Sequence, residues 1–198
     1  RSLCDWSSDV CSSDLLGNPG RRYANTLHNV GQLAVELLAK RHSVTLRAGR
    51  DRALVADATI AGRAVVLAVP TTFMNESGQA VAALVRRHGL GSDAARIVVV
   101  HDELDLDPGT VRVKAGGGLA GHNGLRSINQ HLGTEAFLRV RIGVGKPPSK
   151  EDGADHVLRP MSASARKAMD VNIEVAADAV EAIVADGVDS AMAAFNGR

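Results

Sequence analysis

Residues 96–124 read RIVVVHDELDLDPGTVRVKAGGGLAGHNG. Ile97–Val100 is an unbroken apolar run, the mark of a strand buried on both faces of a sheet. It stops at His101, Asp102 and Glu103, so charged side chains emerge at the strand's end. Val111–Lys114 alternates apolar and basic residues, as a half-buried strand does. Gly116–Gly124 then holds five glycines in nine residues. Leu125–Leu132 has helical spacing and stops at Gly133, and Leu138–Val144 alternates again. Upstream, Val30–Lys40 reads as a helix. Ala53–Ile60 and Ala64–Val69 form a hairpin about Gly62, and Gln79–His88 is a helix ended by Gly89. Ala163–Ala185 and Ser190–Phe195 are amphipathic helices. Strands and helices alternate, which predicts an α/β fold with helices packed on a mixed sheet. No repeat or linker divides the chain. Sites in such sheets lie at the carboxyl ends of the strands. Four polar loops follow those ends: Gly17–Gly20, Pro70–Asn75, His101–Asp107 and Gly116–Gly124.

The chain has 198 residues, 45% of them apolar, and a formal net charge of +1. No apolar run reaches the roughly 18 residues that would span a bilayer. Both cysteines (Cys4, Cys11) and the only tryptophan (Trp6) fall in the first 11 residues. The first 15 residues carry a net −2, and the remainder is +3. A Cys-free remainder excludes a disulfide scaffold and a Cys-based zinc site.

The opening RSLCDWSSDVCSSDL has no apolar h-region, so it is not a secretory signal. Asp5–Leu15 matches the peptide encoded in one frame by a widely used sequencing adapter. Residues 1–15 therefore read as a non-native, adapter-derived segment joined to a truncated gene, and residues 16–198 as one domain. On that reading Ser12, Ser13 and Asp14 stand where a native apolar strand belongs. Burying them without partners costs several kcal/mol. Val10–Leu15 is still the only stretch available to take that strand's place.

The loops carry the candidate chemistry. Leu16–Gly20 (LGNPG) is a turn and not a dinucleotide fingerprint, since G-x-G-x-x-G is missing. The glycine-rich Gly116–Gly124 lacks the G-K-[ST] ending of a P-loop. There is no G-x-S-x-G elbow. His101, Asp102, Glu103 and His122 form one candidate metal set; a charged strand exit is the plainer reading. Asp102, just past a buried strand, needs a partner. His28, in YANTLHNVG before a helix, can face the same edge. A His–Asp pair is the arrangement of general-base catalysis.

Four segments together carry a family resemblance: LGNPGRRYANTLHNVG, VPTTFMNESGQAV, VVVHDELDLDPGTVRVKAGGGLAGHNGLRSI and RVRIGVGKP. In order and spacing they resemble bacterial peptidyl-tRNA hydrolases, from Leu16 through about Leu158. The resemblance implies a single α/β domain with a mixed twisted sheet, present as a monomer in the cytoplasm. It implies hydrolysis of the ester joining peptide to tRNA, without metal or cofactor. His28 matches the catalytic histidine and Asp102 the carboxylate that orients it. Asn18, Asn75 and Asn123 match the asparagines of the cleft, and Tyr23 and Met74 its wall. Asn123 is placed to bind the attacked carbonyl or the water. A non-catalytic RNA-binding relative on the same fold is the alternative, but none of these residues is lost.

A tRNA substrate requires a phosphate-binding surface for its acceptor arm and terminal adenosine. Arg112 and Lys114 share one strand face, and Arg139 and Arg141 share another. The expectation is tRNA contact by Arg112, Lys114 and Arg139. Lys146 and Lys150 lie in the loop Gly145–Asp155, which reads equally as a plain surface loop or as a lid over the cleft.

Overall fold

The structure is a computed structural model that describes residues 11–147, 149 and 153–197. Residues 1–10 of the expected adapter-derived segment and Lys150 of the Gly145–Asp155 loop lie outside the described residues. Seven strands form one sheet: β1 (Cys11–Leu15), β2 (Arg47–Ala48), β3 (Ala53–Ile60), β4 (Arg63–Pro70), β5 (Ile97–Glu103), β6 (Val111–Ala115) and β7 (Leu138–Gly143). Their order is β2-β3-β4-β1-β5-β7-β6. β1 pairs in parallel with β4 and β5, and β5 with β7; the outer pairs β2–β3, β3–β4 and β6–β7 are antiparallel. The sheet is mixed, as the alternation of elements predicts.

Among the described residues there are six α-helices: α1 (Val30–Arg41), α2 (Ser77–Arg87), α3 (Asn123–Leu132), α4 (Gly153–Leu158), α5 (Ala163–Asp186) and α6 (Val188–Asn196). Successive side chains of a strand point to opposite faces, and β5 shows this directly. Val98 and Val100 pack with α1, α5 and α6, whereas Ile97 and Val99 pack with α2 and α3. Every residue of β5 is buried, which is why its sequence does not alternate. β5 also runs three residues past its apolar run, because His101–Glu103 pair with Arg141–Gly143 of β7.

β2 and α4 have no counterpart in the expected elements. Two residues show no period, and the six residues of α4 are too few for an apolar stripe. β1 lies at the centre of the sheet, as the only stretch available for that place.

Candidate active site

The site is built where β1, β4 and β5 end. His28 lies in a single 3₁₀ turn, Leu27–Asn29, that leads into α1. Its Nδ1 is 2.8 Å from Asp102 Oδ1, and both residues are buried. The sequence makes this approach possible at Gly31. A Cβ there would fall 2.3 Å from the Val100 carbonyl oxygen, so only glycine lets the start of α1 press against β5.

A second histidine reaches the same carboxylate oxygen. His122 Nε2 is 3.0 Å from Asp102 Oδ1. Its Nδ1 caps α3 by accepting the N–H groups of Gly124 and Leu125 at 3.1 and 3.4 Å. An Nδ1 that accepts must leave the ring proton on Nε2, so His122 donates to Asp102. His28 likewise donates from Nδ1, which leaves its Nε2 as a free base. The rings of His28 and His122 lie 5.0 Å apart.

The electrostatics follow from these bonds. Burial raises the Asp102 carboxyl toward its neutral form, but the two histidines outweigh it and hold the group well below the usual carboxylate range. Burial pulls His28 down, but the charge and hydrogen bond of Asp102 lift it above 6.5. His101 differs. It is fully buried, its Nδ1 lies 2.7 Å from the main-chain oxygen of Asp102, and burial pushes it down to about 3. It stays neutral at any physiological pH.

Asn18 is fixed by its neighbours. Asn29 accepts the Asn18 N–H at 2.8 Å and donates to the Asn18 carbonyl at 2.9 Å. The Asn18 Oδ1 accepts from the Met74 N–H at 2.8 Å. The acceptor of its carboxamide is thus committed, and Nδ2 is the group it can offer a ligand. Asn123 is exposed at the first turn of α3, and Asn75 is exposed beside Met74. Tyr23 is half-buried, with the Arg22 guanidinium over its ring at 5.6 Å. Met74, expected on the wall of the cleft, is buried and packs in the same core cluster as Leu16. Gly124 fits closely against both: a Cβ there would lie 2.6 Å from Leu16 and from Met74 Sδ.

The metal set His101, Asp102, Glu103 and His122 does not converge. His101 is tied to the backbone, and Glu103 faces Arg141 at 3.8 Å and the Asp105 N–H at 3.2 Å. Among the described residues a different trio, His28, Asp102 and His122, has ligand atoms within 4.8 Å of one another.

The basic residues also divide. Arg112 stands across from Arg141, and Lys114 from Arg139, on one face of the β6–β7 pair. Arg139 departs from the expected phosphate contact. It is 1% exposed, lies over the Phe137 ring at 4.7 Å, and donates to the carbonyls of Gly117 and Gly118. With so little of its surface exposed, this guanidinium holds the glycine loop and is not presented to a solvent-side phosphate. Arg112, Lys114 and Arg141 are half-buried on the same face.

Sequence reasoning weighed His122 only as a metal ligand and passed over Asn29. A signal for His122 was present, since it lies three residues before the predicted helix start at Leu125, near enough for a side chain to cap free N–H groups.

Comparison with known proteins agrees with this geometry. The sequence model of the family described as peptidyl-tRNA hydrolase matches residues 15–198. A peptidyl-tRNA hydrolase of Frankia alni is 48% identical over 174 residues, 88% of this chain and 87% of that protein. One from Rubrobacter xylanophilus is 49% identical over 183 residues, 92% of this chain and 98% of that protein. The crystal structure of peptidyl-tRNA hydrolase from Acinetobacter baumannii superimposes with a TM-score of 0.86 at 39% identity, over 94% of both chains. By sequence and by fold, with His28 set against Asp102 at the sheet's carboxyl edge, the chain belongs to the peptidyl-tRNA hydrolase family.

Proposed function

We propose that the chain hydrolyses the ester between peptide and tRNA in peptidyl-tRNA, freeing the tRNA for reuse. One observation carries the chemistry: a histidine with its Nδ1 2.8 Å from a buried, ionised aspartate and its Nε2 left as a base. An ester is easier to cleave than an amide, so one general base acting on water is sufficient. His28 Nε2 takes a proton as the water oxygen bonds to the carbonyl carbon. The bond from that carbon to the ribose oxygen then breaks, and His28 returns the proton to the leaving oxygen. Asp102 holds the tautomer and stabilises the imidazolium. His122 supplies Asp102 with a second donor, which keeps the carboxylate ionised and fixed. Asn123 donates to the carbonyl oxygen as charge develops there. Asn18 and Asn75 bind peptide amides, and Tyr23 and Met74 shape the cleft.

A neutral asparagine cleft accepts an N-blocked peptide and disfavours a free α-ammonium. The test is release of labelled N-acetyl-aminoacyl groups from tRNA, run beside unblocked aminoacyl-tRNA. Fast cleavage of the blocked substrate alone is expected; equal rates would contradict the reading.

The substrate is a component of translation, which places the protein in the cytoplasm, and it acts as a monomer. Among the described residues no helix is long and apolar enough to cross a membrane. Arg112, Lys114 and Arg141 face the tRNA phosphates. The Lys114→Ala variant is expected to weaken peptidyl-tRNA binding and to lower its salt slope by about 1. A minimal N-blocked aminoacyl-adenosine ester tests the origin of that loss, since its turnover should not change. An unaltered slope would remove Lys114 from the surface.

The close trio of His28, Asp102 and His122 supports a second reading, a metal-assisted hydrolase. Activity that survives EDTA in magnesium-free buffer eliminates it, and activity lost to EDTA and restored by Zn²⁺ would establish it.

A further inference from the structure

Among the described residues β6 is the last strand of the sheet and pairs with β7 on one side only. Such an edge leaves main-chain groups open to any passing strand. Here Asn196, the last residue of α6, fills it. Its Nδ2 donates to the Val113 carbonyl at 2.8 Å, and its Oδ1 accepts the Val113 N–H at 2.9 Å. One carboxamide thereby reproduces the pair of bonds that a neighbouring strand residue makes. The Asn196 main-chain carbonyl also accepts from the Arg112 guanidinium. The helix that carries Asn196 is anchored: Val188 and Ala191 are buried in the same core as Val111 and Val113.

Val113 stands between Arg112 and Lys114. A residue that clamps Val113 and also holds Arg112 therefore fixes both cations of this strand. Long basic side chains lose rotamer freedom when they engage phosphate, and holding one in place beforehand removes part of that cost. A carboxamide suits the place, since it both donates and accepts. Aspartate cannot donate to the Val113 carbonyl, and an apolar side chain satisfies neither group.

We propose that Asn196 is a positioning residue for tRNA, locking β6 and the Arg112 side chain so that Arg112 and Lys114 meet the phosphate backbone in a preset geometry. This rests on the reading of Arg112 and Lys114 as tRNA-facing. It assigns the end of α6, at the sheet edge and outside the site built around His28, a part in substrate affinity.

The test uses the full chain with Asn196→Ala and with Asn196→Asp, which keeps the side-chain size. Both are assayed on peptidyl-tRNA and on the minimal N-blocked aminoacyl-adenosine ester across a salt series. For Asn196→Ala, which loses both carboxamide bonds to Val113 and keeps the main-chain carbonyl, KM for peptidyl-tRNA should rise severalfold, up to about tenfold, the cost of ordering a long side chain that is no longer preset. Its salt slope should fall by about 1, while kcat and turnover of the minimal ester stay unchanged. Asn196→Asp should fall between wild type and Asn196→Ala. In an Arg112→Ala background the Asn196→Ala effect should shrink, because the strand that the Asn196 carboxamide locks then presents one cation fewer. A lowered Tm or self-association with KM and slope unchanged would overturn the proposal, leaving Asn196 as an edge plug alone. If Lys114→Ala flattens the slope and Asn196→Ala does not, only the Asn196 role falls. If neither does, the phosphate surface falls and takes the Asn196 role with it.

Discussion

Replacing His28 with alanine is expected to lower kcat on peptidyl-tRNA by about 10²–10⁴, the range for loss of a positioned general base. The base must be neutral to accept a proton from water. Asp102 lifts the His28 imidazole above its ordinary 6.5 despite burial, so kcat/KM of the wild type should rise with pH through a midpoint above 6.5 and then level off. Asp102→Asn removes the charge that causes the lift. Its acid limb should move to lower pH, and kcat should fall steeply because the imidazole loses the partner that fixes its tautomer. Measured pH profiles of wild type and Asp102→Asn check both points. An unmoved limb, or a His28→Ala variant within a few-fold of wild type, would sink the assignment.

The same pair makes stability depend on pH in a defined direction. His28 is raised by its partner, so its contribution is full below 6.5 and is lost as pH rises through its folded value. Asp102 is depressed, so its contribution is present above 3.8 and is lost as pH falls through its folded value. The pair therefore stabilises most between 3.8 and 6.5, on the acid side of the range where the neutral base works.

Replacing Ser12, Ser13 and Asp14 together with valine is expected to raise Tm by about 10 °C or more. β1 pairs with β4 and β5, and α1 and α2 cover its opposite faces. A strand at that place belongs to the class whose residues are apolar throughout, as β5 shows with four consecutive apolar residues. CSSDL is not such a sequence. For strands of that class in general, a polar group placed in an apolar interior without a partner costs about 1–3 kcal/mol, a large share of a domain's whole stability. The match to the family model begins at residue 15. We propose that residues 5–15 come from outside the gene and that their replacement restores the strand. Equal melting temperatures for the two chains would refute this.

Fold class was legible because burial leaves periodic marks. The apolar run at Ile97–Val100 and the helical spacing at Val30–Lys40 each fell within an observed element, and the alternation at Leu138–Val144 overran β7 by one residue. The His28–Asp102 pair was legible in part. A carboxylate emerging from a buried strand needs a partner, and the residue motifs named His28 as that partner. The rest was not legible, for reasons of direction. Alternation places Arg139 and Arg141 on one face but does not say how deep each lies. Arg139 sits at the level where the glycine loop closes over the sheet, so its guanidinium turns to the Gly117 and Gly118 carbonyls. Met74 turned inward for a similar reason, because Leu16 offered it a core.

By itself the sequence determined most of the strands and helices, though not the short β2 and α4, and which polar residues lie at strand ends. Those properties depend on neighbours a few positions away, where periodicity and turn chemistry act. Only the tertiary structure decided which groups share a partner. Asp102 Oδ1 receives His28 from 74 residues upstream and His122 from 20 residues downstream, and Val113 receives Asn196 from 83 residues away. Hydrogen bonds are short-ranged and directional, so such pairings arise only after the sheet order has brought distant segments together.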